Sequence, residues 1–154
     1  MVQAVTLGGT ANPDVVRWLK ETFPQINVVV GAVTVVDEDG AAAKALARRE
    51  VALYLPVVAQ LDPTVTIEPD RLAGIEKAAA AYDFAAASGF ISDELLARFA
   101  FAGTPDEVAE QTAVLLAAGT HRVEFGTPHG KTAQNGLKLL GERVLPAVSE
   151  WSNA

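Results

Sequence analysis

The chain contains no cysteine, which excludes disulfides, thiolate metal sites and cysteine nucleophiles. Its two histidines, His121 and His129, are too few for a histidine-rich metal cluster. Positive charge is scarce. Twelve Lys and Arg face nineteen Asp and Glu, for a net charge of −7, and the cations are dispersed apart from the pair Arg48-Arg49. Such a surface argues against nucleic acid and anionic membranes as partners. No apolar run reaches the ~18 residues of a membrane helix. The N-terminus lacks a basic segment followed by an apolar one, so no secretory signal is expected. There is no GxGxxG, P-loop, nucleophile elbow or metal-ligand motif. These absences lead to the expectation of a soluble cytoplasmic protein.

What is present points to a folded domain. Half of the 154 residues are hydrophobic, enough for one domain with a real core. Val2–Leu7 reads as a strand ending at Gly8-Gly9. Asn12 offers an N-cap, Pro13 a first helical residue and Asp14 a favourable charge, so a helix is expected to about Phe23. Residues 26–36 are β-branched almost throughout, the mark of a parallel strand covered on both faces. Asp37-Glu38-Asp39-Gly40 is a turn into an alanine-rich helix expected over 41–60, kinked or ended by Pro56. Residues 61–69 read as a loop, with helices over 70–81 and 92–99 and a separator at 82–89. Thr104-Pro105-Asp106-Glu107 is a capping box, with Gly119 the stop of its helix. A strand follows over about 121–126, then the loop Gly126–Gly130 and a final helix over about 132–150. Trp18, Phe23, Phe99, Phe101 and Trp151 read as residues that pack helices onto the sheet.

Strands alternating with helices imply an α/β fold with right-handed parallel crossovers. Three strands are expected, at about 2–7, 26–36 and 121–126. A complete (β/α)8 barrel needs eight. The expectation is therefore one domain, a partial TIM barrel with open sheet edges and a helical insertion over 61–99.

Three segments carry a resemblance: Thr6-Leu-Gly-Gly-Thr-Ala-Asn-Pro13, Val30-Gly-Ala-Val-Thr-Val-Val-Asp-Glu-Asp39 with the helix through Ala47-Arg-Arg-Glu50, and Phe99–Gly130. In these the chain resembles the luciferase-like monooxygenase superfamily of flavin- or F420-dependent (β/α)8 oxidoreductases. It is most similar to F420-dependent enzymes of the methylenetetrahydromethanopterin reductase type. The likeness spans nearly the whole chain but corresponds to the C-terminal portion of such an enzyme, its sixth to eighth strands. It implies coenzyme F420 or FMN as cofactor and hydride transfer as chemistry. It also implies that the main ring and phosphate contacts lie on the first five strands, outside this sequence. A chain of this kind is expected to be incomplete and inactive alone. It would need an N-terminal barrel partner, or it would self-associate as a non-catalytic homo-oligomer.

Function in such barrels sits at the carboxyl ends of strands, and three places qualify. Gly8, Gly9, Thr10 and Asn12 form a glycine turn before a helix N-terminus. It suits an anion or close ligand approach, or serves simply as a tight capped turn. Asp37, Glu38 and Asp39 can bind a cation or solvate a turn. Gly126, Thr127 and His129 form the third, where His129 can donate to an anion, transfer a proton, or be a loop histidine. The cofactor-binding set is thus Gly8, Gly9, Thr10, Asn12, Gly126, Thr127 and His129, with no metal site and no assigned catalytic residue. His121 reads as structural. Glu124, in an apolar strand, shares its alternation parity with Arg122, and a structural pair or a helix-facing contact is the favoured reading.

Overall fold

The computed structural model describes residues 3–152, without the side chains of the last two. Strands β1 (Ala4–Gly8), β2 (Asn27–Val36), β3 (Ala100–Gly103) and β4 (Thr120–His129) form one wholly parallel sheet. β2 is its centre. β4 takes one edge, along Val28–Val35. β1 pairs with Asn27–Gly31 and β3 with Val33–Val36, so these two follow each other along the opposite edge. The β-branched run of β2 is explained by this position, since seven of its ten residues are buried.

Parallel strands need long crossovers. α1 (Pro13–Thr22) joins β1 to β2. Between β2 and β3 lie α2 (Gly40–Ala52), α3 (Leu55–Gln60), α4 (Pro69–Ala80), α5 (Phe84–Ser88) and α6 (Asp93–Ala97). α7 (Pro105–Ala117) leads into β4. After β4 come α8 (Ala133–Leu139), a wider π-helical turn over Leu140–Val144, and α9 (Leu145–Ser152).

The caps follow the sequence. Asn12 Oδ1 accepts from the Asp14 amide at 3.1 Å, and Asp39 Oδ1 from the Ala42 amide at 3.0 Å. At the head of α7, Thr104 Oγ1 accepts from the Glu107 amide and Glu107 Oε2 from the Thr104 amide. Glu107 Oε1 meets Lys44 Nζ at 2.6 Å, tying α7 to α2. The Lys44 ammonium and the Thr104 amide hold the Glu107 carboxyl below its ordinary range.

The break expected from Pro56 within residues 41–60 falls at Leu53-Tyr54, because in a continuous helix the Pro56 ring would clash with the carbonyl four residues earlier, at Ala52. Three other expectations are corrected. The segment 82–89, read as a separator, carries α5. The helix expected to reach Phe99 stops at Ala97, and a fourth strand, β3, follows. β3 has only four residues, all buried, and so shows no alternation to read. β4 runs on to His129 through the segment expected as a loop. The first strand begins, among the described residues, at Ala4.

Two cores flank the sheet. The first gathers Val28, Val30, Ala32 and Val36 of β2 with Val16 and Leu19 of α1, Val108 and Leu115 of α7, Phe101, and Leu140, Val144 and Val148. The second gathers Val35 with Ala43, Ala47 and Val51 of α2, Leu55, Ile75, Leu96 and Phe99. Phe99 and Phe101 pack as expected, but Trp18 and Phe23 are about half exposed. The Trp151 side chain lies outside the described residues. Opposite the first core, the sheet presents exposed residues at Ala4, Thr6 and Gly8 of β1 and Arg122 and Glu124 of β4. Among the described residues no helix is long and apolar enough to cross a membrane.

Gly136, within α8, lies against the end of β4. A Cβ there would sit 2.2 Å from the carbonyl oxygen of His129 and 2.7 Å from the Gly130 nitrogen. Helix propensity alone predicts that Gly136→Ala stabilises by about 1 kcal/mol. The backbone obstruction outweighs this, and urea unfolding is expected to show a net loss of about 2 kcal/mol. A gain in stability would show that α8 can move off β4 without cost.

Candidate functional site

A cleft of about 560 Å³ opens on the exposed side of the sheet, toward the carboxyl end of β1. Its floor is largely backbone: Gly8 and Gly9, Gly31 in the middle of β2, and Gly126 in β4. Thr6, Glu124 and Thr127 supply polar side chains, while Tyr54 and Val58 come over from the break between α2 and α3. Among its lining residues there is no lysine, arginine or histidine.

Gly9 and Gly126 are there for close packing, whereas a Cβ on Gly8 would meet nothing within 4 Å. Gly9 has φ +80°, and a Cβ on it would lie 3.0 Å from Val58 Cγ1 and 3.2 Å from Tyr54 Cε2. Only glycine takes that backbone without strain. Its amide and that of Thr10 both donate to the Gly31 carbonyl, at 2.7 and 3.2 Å, which folds the end of β1 over β2. A Cβ on Gly126 would lie 2.7 Å from the Ala32 carbonyl oxygen.

Tyr54 Oη donates to the Phe99 carbonyl at 3.3 Å. Burial pushes its hydroxyl pKa up to about 12, with a smaller push from Glu50 and an opposing backbone hydrogen bond at Val33. A raised folded pKa means that stability from neutral Tyr54 is intact below about pH 10 and is lost as pH rises toward 12. The chain has two tyrosines. Absorbance titration of the phenolate is therefore expected to show one of them ionising only near pH 12, and Tyr54→Phe to delete that late step. A late step that survives Tyr54→Phe would contradict the assignment.

The cleft brings together Gly8, Gly9, Gly126 and Thr127 of the sequence-derived set. It does not include the side chains of Thr10, Asn12 or His129. Thr10 Oγ1 donates to the Arg98 carbonyl at 3.2 Å and accepts from the Asn12 amide at 3.1 Å. Asn12 is fully buried, and its Nδ2 donates to Asp62 Oδ2 at 2.8 Å and Thr64 Oγ1 at 2.9 Å. His129 has φ +74°, with Nε2 3.1 Å from the Phe125 carbonyl oxygen. His121 is exposed beside the bulge where β4 slips against Val28 and Val29. Arg122 and Glu124 do pair, at 2.7 Å.

The acidic turn is committed elsewhere. Asp37 Oδ1 accepts from the Asp39 amide and meets Lys131 Nζ at 3.2 Å, contacts that lower its pKa. Glu38 faces Arg143, and Asp39 caps α2. Among the described residues no group of three or more acids or histidines could hold a metal ion. Sequence reasoning missed Thr6, Gly31, Tyr54 and Val58. The available signals were Pro56, which breaks the helix beside Tyr54, and a lone glycine in a β-branched strand.

A second cavity of about 510 Å³ lies between α1, α6, β3 and α7. Its lysine, Lys44, is already engaged by Glu107, and its walls at Ala97, Ala100, Ala102 and Val114 are apolar. The glycine-floored cleft is the better candidate, because it lies over the open face of the sheet, where glycine backbone meets the side chains of Thr6, Glu124 and Thr127.

Residues 15–122 match the family model described as luciferase-like monooxygenase. Among curated proteins, the chain is 30% identical over 125 residues to the 5,10-methylenetetrahydromethanopterin reductase of Methanolobus tindarius, covering 79% of this chain and 38% of that protein. It is 31% identical over 84 residues to the enzyme of the same name from Methanopyrus kandleri, covering 54% of this chain and 24% of the relative. Among solved structures, the coenzyme F420-dependent tetrahydromethanopterin reductase from Methanopyrus kandleri superposes with a TM-score of 0.78 at 23% identity, over 95% of this chain and 45% of that one. The chain thus spans less than half the length of the relatives it matches, and its α/β fold is that of a partial barrel.

Proposed function

The chain belongs to the luciferase-like monooxygenase family, and from that premise we propose that it supplies the C-terminal strands of an F420-dependent oxidoreductase site. The observation that carries this reading is the glycine-floored cleft at Gly8, Gly9, Gly31 and Gly126. It lies where an α/β barrel places its chemistry. The names of the relatives favour F420 over FMN.

The lining fits a flat, uncharged ring better than a phosphate. Gly8 leaves open space where a side chain would stand, so a planar surface can approach the backbone there at close range, and no cation lines the cleft to hold an anion. The phosphate contacts would come from strands this chain does not contain. When bound, F420 supplies hydride transfer to or from a small organic substrate. This chain's residues hold and enclose: Thr6 and Thr127 offer hydroxyls to ring edges, and Tyr54 and Val58 wall off one side from water.

The test is size-exclusion chromatography with light scattering, before and after addition of F420. Co-elution of the cofactor's absorbance supports the reading, as does uptake only after mixing with an N-terminal barrel partner. A second reading, a self-associating unit without catalysis, is favoured by the exposed sheet face beside β1 and β4. It predicts a stable oligomer that takes up no F420 under either condition.

A further inference from the structure

We infer that Glu124 is an anchor for a ligand group that donates hydrogen bonds from nitrogen, such as an amino-substituted or cationic planar heterocycle. Glu124 is the one carboxylate lining the cleft. Arg122, two residues earlier on the same face of β4, holds its Oε1 at 2.7 Å. This contact holds one carboxylate oxygen toward the Arg122 guanidinium. Oε2 has no hydrogen-bond partner among the described residues, and it lies over Gly31, 3.7 Å from where a Cβ would stand.

Gly31 interrupts a strand that is otherwise Asn-Val-Val-Val before it and Ala-Val-Thr-Val-Val after it. A glycine inside a strand costs stability and marks a close approach. Here it lets the Glu124 side chain lie across the β2 backbone, with Cβ at 3.4 Å and Oε2 at 3.7 Å from the position a Gly31 Cβ would take. Stability does not account for the pair, since the two side chains are 64% and 49% exposed and such surface pairs contribute little. A carboxylate held at one oxygen by an arginine, with the other oxygen facing the cleft, is an acceptor that selects hydrogen-bond donors.

The anchor rests on reading this cleft as the ligand site, but its test needs no cofactor. The probes are benzamidine and benzoate, planar molecules of nearly the same shape and opposite charge, titrated into the intact chain and followed by amide NMR. Benzamidine is expected to shift the Gly31, Glu124 and Gly126 amides, and benzoate at equal concentration to leave them in place. Glu124→Gln, its fold checked by circular dichroism, is expected to weaken benzamidine binding about tenfold or more. Equal binding of benzoate, undiminished binding to Glu124→Gln, or shifts confined to other surfaces would each overturn the anchor. The benzoate comparison uses the unaltered chain and so holds even if the variant misfolds. Benzamidine binding that depends on Glu124, without F420 uptake, would retain the anchor and remove the oxidoreductase reading.

Discussion

Phe101→Ala is expected to lower unfolding stability by about 3–5 kcal/mol, the largest loss from any single substitution considered. Phe101 is fully buried in β3. Its ring meets that of Phe125 edge to face, with centroids 5.3 Å apart and planes at 81°. It therefore joins a short strand to β4 across the first core. Truncation removes the transfer free energy of a benzyl group and leaves a cavity between β3, Phe125 and the rest of the first core, which the packed sheet and helices cannot fill by collapse. Urea unfolding measures the effect, and Phe101→Leu should recover most of the loss because it refills most of the volume. A loss below about 1 kcal/mol for the alanine variant would mean that β3 is not part of the cooperative fold.

Asn12→Ala is expected to cost about 3 kcal/mol, from two sources. The cap on α1 goes with the Oδ1 acceptor, and caps contribute about 1 kcal/mol. The Nδ2 donor goes as well, leaving Asp62, only 6% exposed, without its 2.8 Å contact. A buried acceptor deprived of its donor costs a further 1–3 kcal/mol or so. Asn12→Ser separates the two, because serine keeps a cap but cannot reach Asp62. It should fall between wild type and alanine. Full stability in Asn12→Ala would show that the amide is not engaged within the fold and is free for a ligand.

Asn12 also shows how far the sequence could be read. Its cap was legible, because capping depends on the residues immediately following it. Its bonds to Asp62 and Thr64 were not, because they join positions fifty residues apart. The same division runs through the site. Gly8, Gly9, Gly126 and Thr127 stood out as glycine-bearing ends of strands. Tyr54 looked like any aromatic on a helix until the break at Leu53-Tyr54 carried it to the cleft. β2 was legible because seven of its ten residues are β-branched. β3 was hidden by its length and by lying directly after α6, where a helical pattern was still running. The Arg122–Glu124 pair was legible from period-two alternation alone, whereas the free oxygen over Gly31 depends on the register between β2 and β4.

The central place of β2 has a consequence during synthesis. Its β1 partner is made before it, but the residues of β4 that close its other edge, beginning with the pair Val28 and Thr120, emerge about ninety residues later. At translation rates of about 5–20 residues per second, that interval is roughly 5–20 s. For most of it the nascent chain carries a β-branched strand whose β4 edge is unpaired and whose Val33–Val36 half also awaits β3 on the other edge. The acidic turn at Asp37–Asp39, directly after the strand, places like charge on every copy during this window.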